Sequence, residues 1–381
     1  MRNIRLGSLL GIPILVNPSW FILFGLATWM LATQYYPDVL PREASSTHYV
    51  MAAASALVFF VSILLHELAH SAVAKAYGIP VRSITLFIFG GVSQITRDAA
   101  KPLHELLMAV AGPLTSIVLG AVFIAVWWGI GADTSRPIDH VLIWLGGINL
   151  TLGVFNMIPA FPMDGGRVFR SLLWMFGRNY NRATVIAAWT GRGTAWLMLA
   201  VGALGVLGYA TPLTGTPAGG AWMLLIGLFL ENAARQSLMQ NRLIQTLQHY
   251  SAGDLMVPNP PVVEGQMSVA SLARGVLELN PRVCYFVEDH GKLGGLISAY
   301  QMRAIPEALW DTTTAAEAMV PSAMLRATAR DRLASDVLLE MENEDLLHMP
   351  VVEEGRVIGV IGRDRILGVL RQAGLIRAHQ T

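Results

Sequence analysis

Residues 61–71 read Val-Ser-Ile-Leu-Leu-His-Glu-Leu-Ala-His-Ser and lie inside an almost uncharged apolar run, Val50–Ala76. On a helix His66 and His70 stand one turn apart, so both rings face one way and can bind one metal ion. Glu67 lies beside them as a candidate general base. The run is long enough to cross a bilayer, where a carboxylate costs about 3 kcal/mol on insertion scales. The stretch therefore predicts a membrane helix that carries a metal-centred reaction site.

An ordinary surface helix is one alternative explanation, because many His-Glu-x-x-His matches are such helices. A bilayer offers no water-facing surface to such a helix, and a satisfied pair of core histidines is the alternative that stays. The membrane context therefore favours a metal site at His66 and His70.

The composition is that of a membrane protein. Of the 381 residues, 54% are hydrophobic and 14% are charged, whereas soluble proteins carry about a quarter charged residues. Charge is sparse up to about Asn232 and ordinary beyond it, and the net charge of +1 argues against a nucleic-acid partner. The single cysteine, Cys284, excludes an internal disulfide and a cysteine-based zinc site, and we expect it to be a small buried hydrophobe.

Six apolar segments predict about six transmembrane helices, and Ile12–Val16 predicts a short strand in an interfacial hairpin. The first apolar segment is short and is expected to extend at its ends. The segments are approximately residues 19–32, 50–76, 106–130, 141–158, 190–209 and 220–234.

The distribution of Lys and Arg between the loops predicts the orientation. With the N-terminus inside, the opposite loops carry only Arg42 and Arg136. This predicts a multi-pass protein of the cell (inner) membrane, with the histidine motif on the cytoplasmic half of the second span and the C-terminal region in the cytoplasm. The cytoplasmic segments then carry Arg2, Arg5, Arg82, Arg97, Lys101, Arg167, Arg170, Arg178, Arg182, Arg235 and Arg242.

A β-rich run, VRSITLFIFGGVSQITRDAAKP, occupies residues 81–102. With Gly90 and Gly91 at its centre it predicts a hairpin that dips toward the membrane beside the helix with the histidines. An extended edge there could pair with an unwound substrate segment by strand addition. A simple covering loop is the alternative.

The chain repeats itself after Gln240. Asp254-Leu-Met-Val-Pro258 recurs as Glu317-Ala-Met-Val-Pro321, and residues 285–298 recur at 349–362, at offsets of 63 and 64 residues. Each repeat predicts a helix, a short strand, a helix, a hairpin and a final helix. The pattern resembles a tandem pair of CBS domains. We expect separate domains at residues 1–240 and 241–381, with repeats at about 250–306 and 313–372.

A third zinc ligand is expected, because zinc sites that activate water use three protein ligands and keep one position open. The candidate is Asp164, in the segment Asn156-Met-Ile-Pro-Ala-Phe-Pro-Met-Asp-Gly-Gly-Arg167 at the end of the fourth span. Pro159 and Pro162 break the helix there, and broken backbone at membrane depth is tolerated only where protein buries it or water lines it.

Together, His-Glu-Leu-Ala-His in one span and Asn-Met-Ile-Pro-Ala-Phe-Pro-Met-Asp-Gly-Gly in a later one resemble the site-2 proteases, membrane-embedded zinc metalloproteases that cut transmembrane substrates. Ala111-Gly112-Pro113 and the glycine hairpin fit the same family, and the resemblance covers about residues 1–240. The repeat resembles the subgroup with C-terminal tandem CBS domains. The expected fold is a polytopic α-helical membrane protein with a membrane-associated β-hairpin, followed by a cytoplasmic α/β CBS pair.

The resemblance implies a role for each matching residue. One zinc ion per chain would be bound by His66, His70 and Asp164, and Glu67 would take a proton from water and pass it to the leaving nitrogen. A packing role is the alternative for Asn149. Substrate backbone or the developing oxyanion would be held by Asn156, Asn149, Gly90 and Gly91.

CBS domains that bind adenosine usually carry Ser or Thr after the last strand and an Asp three residues later. Here Ser298 is followed by Gln301, and Gly362 by Arg365, with Asp364 one residue away. Binding of AMP or ATP is therefore a hypothesis. A partner-binding module or a homodimer interface is the alternative.

The expected substrate is a single-pass membrane protein, such as an anti-sigma factor, cut in or near its transmembrane segment during regulated intramembrane proteolysis. A transporter or channel gated by CBS domains, and an inactive scaffold, are the alternatives. Other polar residues are expected to be ordinary. His104 and Glu105 should be solvated near the interface, with a cap over the site as the alternative, Glu231 should be interfacial, and His290 and His348 should lie at the surface of CBS loops.

Overall fold

The protein is described by a computed structural model that covers residues 3–88, 90–209, 215–276, 284–289, 292–354 and 356–376. The chain divides into two compact units, Met1–Leu238 and Met239–Thr381. Apolar helices dominate the first unit, and two α/β repeats make up the second. The local sequence pattern of each unit accounts for its helices and strands.

Helices α1, α3, α4, α5, α7 and α8 follow the six apolar segments, whereas α2 and α6 lie outside them. Prolines stand in the first turn of α4 and α5, where the missing N–H costs nothing and the fixed φ favours a helix start. Helix α6 ends at Arg178 in the left-handed conformation. The helices are α1 (Ser19–Met30), a π-helical turn (Leu31–Tyr35), α2 (Tyr36–Val39), α3 (Ser45–Ala76), α4 (Pro102–Gly129), α5 (Pro137–Asn156), α6 (Asp164–Gly177), α7 (Tyr180–Val206) and α8 (Pro217–Leu247).

Three of the described helices, α3, α4 and α5, are long and apolar enough to cross a membrane. The first predicted segment extends as expected, because the helical backbone continues from Ser19 through the π-helical turn to Val39. Within the described residues, α1, α7 and α8 are not both long enough and apolar enough to count as candidate spans. Helix α1 is short, and α7 and α8 carry the charged residues Arg192 and Glu231.

A four-stranded sheet packs on α3. Its strands are β1 (Ile4–Leu9), β2 (Ile12–Val16), β3 (Val81–Phe87) and β4 (Gly90–Ile95), in the order β1-β2-β3-β4. The two hairpins predicted from the sequence are joined by parallel pairing of β2 with β3. Buried side chains of β2 and β3 cover Leu64 and Leu68 of α3. Strand β4 forms one edge of the sheet beside the helix that carries the histidines.

The second unit contains two repeats with the same order of elements. The first has α9 (Ala252–Leu255), β5 (Val257–Pro258), β6 (Val262–Glu264), α10 (Val269–Val276), β7 (Cys284–Asp289), β8 (Lys292–Ser298) and α11 (Ala299–Arg303). The second has α12 (Ala315–Ala318), β9 (Val320–Pro321), β10 (Thr328–Ala329), α13 (Ala334–Asn343), β11 (His348–Glu353), β12 (Arg356–Gly362) and α14 (Arg363–Gln372).

The repeats exchange a short strand. Strand β5 of the first repeat pairs with β12 of the second, and β9 of the second pairs with β8 of the first. The exchanged strands are the two Met-Val-Pro segments whose recurrence predicted the repeat. Each repeat has its own apolar cluster, centred on Leu272 and Ile297 in the first and on Met341 and Ile361 in the second.

Candidate metal centre

Two helices bring three metal-ligating side chains together. His66 and His70 project from α3, and Asp164 is the first residue of α6. Their Nε2 atoms lie 3.2 Å apart, and Asp164 Oδ2 lies 3.1 Å from His66 Nε2 and 3.2 Å from His70 Nε2. Tetrahedral ligands at about 2.1 Å from a zinc ion are separated by about 3.4 Å. The donor set and its spacing therefore fit a zinc ion.

Helix α4 fixes the orientation of both rings. The backbone carbonyl of Met108 accepts a hydrogen bond from His70 Nδ1 at 2.7 Å, and Ser116 Oγ lies 2.9 Å from His66 Nδ1. Both histidines are buried. Because Nδ1 of each ring is engaged by α4, Nε2 is the atom left to face Asp164. The hydroxyl of Ser116 and the carbonyl of Met108 had not been predicted from the sequence.

Glu67 is held from the side by strand β4. Ser93 Oγ donates a hydrogen bond of 2.7 Å to Glu67 Oε2, and Ser71 Oγ donates one of 3.1 Å to Ser93 Oγ. A Cβ built on Gly91 would lie 2.6 Å from Glu67 Cγ, so a glycine is required for the strand to come this close. Among the described residues, no hydrogen bond engages Glu67 Oε1. The carboxylate is thus anchored through one oxygen.

Comparison with known proteins gives the family. Residues 54–135 and 129–200 match the model of peptidase family M50, and residues 328–372 match the CBS domain. The Synechocystis sp. protein sll0528, classed with the zinc metalloproteases, is 33% identical over 97% of this chain and 96% of its own length. The chain belongs to peptidase family M50, the site-2 proteases. It is a zinc metalloendopeptidase of the site-2 protease type, with a CBS domain.

Other members are similar over comparable lengths. The zinc metalloprotease MJ0392 of Methanocaldococcus jannaschii is 31% identical over 96% of this chain and 95% of its own. A solved structure of a site-2 protease from the same organism has 31% identity and a TM-score of 0.43, covering 62% of this chain and 95% of that one. The M50 match spans His66, His70 and Asp164 of the present site-2 protease.

A buried ion pair ties the helix of Asp164 to α4. Arg170 of α6 donates to Glu105 Oε1 from Nε at 2.8 Å and also from Nη2, and its guanidinium lies 5.2 Å from the ring centre of Phe161. The prediction that Glu105 is solvated is wrong: the residue is 1% exposed. The cause is the packing of α6 on the first turns of α4, which encloses the carboxylate. His104 is half-buried and stacks on Tyr77.

The two asparagines differ in their surroundings. Asn149 is fully buried in α5, and its Nδ2 donates to the carbonyl of Leu145 at 2.8 Å. This contact ties the amide nitrogen to its own helix, and Oδ1 is buried with no hydrogen-bond partner among the described residues. Asn156 is the last residue of α5 and is half-buried, seven residues before the loop ends at Met163. Contact of either side chain with substrate stays a prediction.

Glu231, which is expected to be interfacial, forms ion pairs with two arginines. It accepts hydrogen bonds from Arg192 of α7 at 2.9 Å and from Arg235 at 3.1 Å. The Arg192 guanidinium also lies 4.5 Å from the ring centre of Trp189. The pair links α7 to α8, a contact that periodicity along one helix cannot reveal.

In the CBS region, side chains near the positions expected to bind a nucleotide contact neighbouring residues of the chain. Gln301 Oε1 accepts hydrogen bonds from the N–H of Ser298 at 3.1 Å and from its hydroxyl. Asp364 lies against Gly362 at the start of α14. Cys284 is buried as expected, and burial raises the pKa of its thiol. His348 begins β11 and is half-buried, so the expectation of a surface loop residue is wrong there, and His290 lies outside the described residues.

Proposed function

We propose that this site-2 protease hydrolyses a peptide bond in or near the transmembrane segment of a single-pass membrane protein. The observation that carries the proposal is the convergence of His66, His70 and Asp164 beside Glu67, on a helix long and apolar enough to cross a membrane. A water-activating centre at that depth suits a substrate that is itself in the bilayer.

His66 Nε2, His70 Nε2 and Asp164 Oδ2 are the proposed zinc ligands. A zinc ion supplies a Lewis acid that brings the pKa of water to about 7 and polarises a carbonyl. Glu67 would accept the proton of the attacking water at Oε1, since Oε2 is held by Ser93, and would deliver it to the leaving nitrogen.

Strand β4 is the proposed docking edge for the substrate. A peptide helix hides its scissile carbonyl in hydrogen bonds, so it must be extended before attack. The edge of β4, with Gly90 and Gly91, lies beside Glu67 and can add an extended strand. Asn156, at the end of α5, is the proposed donor to substrate backbone or to the oxyanion.

The proposed membrane arrangement has six spans, formed by the α1–α2 stretch, α3, α4, α5, α7 and α8, with the four-stranded sheet in the membrane boundary. The stretch Ser19–Val39 is about 30 Å long at 1.5 Å per residue, enough for a bilayer core. The uneven distribution of Lys and Arg between the loops supports an inner-membrane protein with its N-terminus and residues 241–381 in the cytoplasm.

We further propose that residues 241–381 are a tandem CBS pair that regulates the protease. The shared element order and the strand exchange support two CBS repeats, although the family match covers residues 328–372. The proposed ligand is an adenine nucleotide such as AMP or ATP. The proposed protein partner is a second copy of the chain, which would give a homodimer. A titration with either nucleotide that leaves the protein unchanged up to millimolar concentration would remove the sensing role.

The test compares cells that carry the wild type, Glu67→Gln or Glu43→Gln. Glu67→Gln keeps the shape of the side chain but removes the base, whereas Glu43 is exposed between α2 and α3 and serves as the matched control. A truncated transmembrane stub should accumulate only with Glu67→Gln, while purified protein keeps its zinc. Equal processing in all three strains would instead favour a transporter or a scaffold.

A further inference from the structure

Helix α6 has two unlike faces. Its buried face carries Gly165, Gly166, Arg170 and Ser171, and it packs against α4 and α7. Its opposite face carries Leu172, Met175 and Phe176, which are 38%, 38% and 83% exposed. These three residues stand at i, i+3 and i+4 and form one apolar stripe, called here the α6 apolar face. A Phe exposed to this extent would not be expected to face water.

Two exposed arginine side chains come soon after the α6 apolar face in the sequence. Arg178 closes the helix in the left-handed conformation, and Arg182 lies in the first turn of α7, both exposed. Trp174 of α6 and Tyr180 of α7 pack edge to face, with ring centres 4.9 Å apart. An apolar stripe that ends in arginines and aromatic side chains has the chemistry of a membrane boundary.

We propose that the α6 apolar face lies in an anionic phospholipid leaflet, at the boundary of headgroups and acyl chains, with Arg178 and Arg182 on the lipid phosphates. Helix α6 packs on the first turns of the candidate span α4, where Leu103 and Leu107 are also exposed. Phe176 would insert about 5–10 Å below the headgroups.

A second protein fits the face less well. A stable interface buries about 800 Å² on each partner, far more than three side chains offer. Phospholipid supplies both an acyl phase for the stripe and phosphates for the arginines.

The contact has a consequence for Asp164. The residue begins α6, Arg170 ties the middle of the helix to Glu105, and Phe176 would be held by lipid. The bilayer would therefore help to set the depth of the carboxylate. This inference rests on the membrane character of the family and not on the proposed hydrolysis, so failure of one leaves the other standing.

The experiment measures depth with nitroxide labels on full-length protein in liposomes. In a Cys284→Ala background, a cysteine is introduced by Phe176→Cys, by Leu197→Cys on the exposed side of α7, or by Met324→Cys in the second unit. Collision with oxygen reports the acyl phase, and collision with a water-soluble nickel chelate reports water. Phe176→Cys should give an oxygen-to-nickel ratio between those of the other two sites.

The arginines are tested by lipid charge. The label at Phe176→Cys should lie deeper in vesicles of phosphatidylglycerol and phosphatidylcholine than in phosphatidylcholine alone, and Arg178→Gln with Arg182→Gln should abolish that difference. Arg42→Gln is the matched control and should preserve it. Nickel access equal to that at Met324→Cys, or shielding from both reagents as in a protein contact, would overturn the proposal, as would depth independent of lipid charge.

Discussion

Gly112 of α4 lies directly against His66 in the candidate metal centre. A Cβ built on Gly112 would stand 2.6 Å from His66 Nε2 and closer still to His70 Nε2. The same helix engages Nδ1 of both rings through Ser116 and Met108. Helix α4 therefore encloses the imidazoles so tightly that a hydrogen atom is the largest side chain tolerated at position 112.

Gly112→Ala should lower zinc content and proteolysis together. The added methyl group must displace at least one imidazole, and a shift of about 1 Å is large for a metal ligand. Metal analysis of the purified protein and cleavage of a transmembrane peptide measure the two losses. Gly147→Ala in α5 is the control, since a Cβ there meets nothing within 4 Å. Full zinc loading in Gly112→Ala would contradict the geometry.

Ser93→Ala should lower kcat about tenfold with little change in KM or zinc content. The substitution removes the hydrogen bond to Glu67 Oε2, and a bond to a charged group is worth about 1.5 kcal/mol or more. Ser93→Thr keeps the hydroxyl and suits a strand, so it should restore most of the rate. Kinetics on a transmembrane peptide in detergent separate kcat from KM. Equal rates for Ser93→Ala and wild type would show that Glu67 needs no such anchor.

The sequence predicted the proposed zinc ligands and base, but not the side chains that contact them. Local spacing places His66, Glu67 and His70 on one helix, and proline and glycine mark the break before Asp164. Ser93 and Ser116 act across 26 and 50 positions of chain, and no local pattern distinguishes them from other serines. They become visible only when helices and strands are packed.

The fold shows the same difference between features set by local sequence and features set by long-range contacts. Apolar runs predicted most of the helices, and β-rich runs with the glycine pair predicted the hairpins, because these patterns are local. Parallel pairing of β2 with β3 joins segments about 70 residues apart and was not predicted. The expectation for Glu105 was wrong for the same reason, since its partner Arg170 lies 65 positions away.

Removing one member of the Glu105–Arg170 pair should destabilise the protein strongly. Both side chains are buried, and an unpaired buried charge typically costs about 3–5 kcal/mol. Glu105→Leu and Arg170→Met should each lower the midpoint of thermal unfolding in detergent, while the double variant should recover much of the loss. Arg330→Met is the control, because its pair with Glu353 is solvent-exposed. Additive losses in the double variant would argue against a coupled pair.

Acid should weaken the caps that begin the two C-terminal repeats. Asp254 accepts the N–H of Ser251 at 2.8 Å, and Glu317 accepts that of Thr314 at 2.9 Å, each in a capping box. These hydrogen bonds hold the pKa of both carboxyls below the usual range. A carboxyl with a lowered folded-state pKa contributes stability above its unfolded value, and that contribution is lost as pH falls through the folded value.

Stability should therefore decline below about pH 4.5, where free Asp and Glu side chains begin to take up protons. Asp254→Asn with Glu317→Gln should reduce this part of the pH dependence, because the replaced groups no longer titrate. Unfolding midpoints of the full chain at pH 7 and pH 3.5 give the comparison. Asp311→Asn is the control, since Asp311 is exposed and forms no capping box. An unchanged slope in the double variant would mean that other carboxyls govern acid unfolding, and that the repeated acidic position serves the fold in another way.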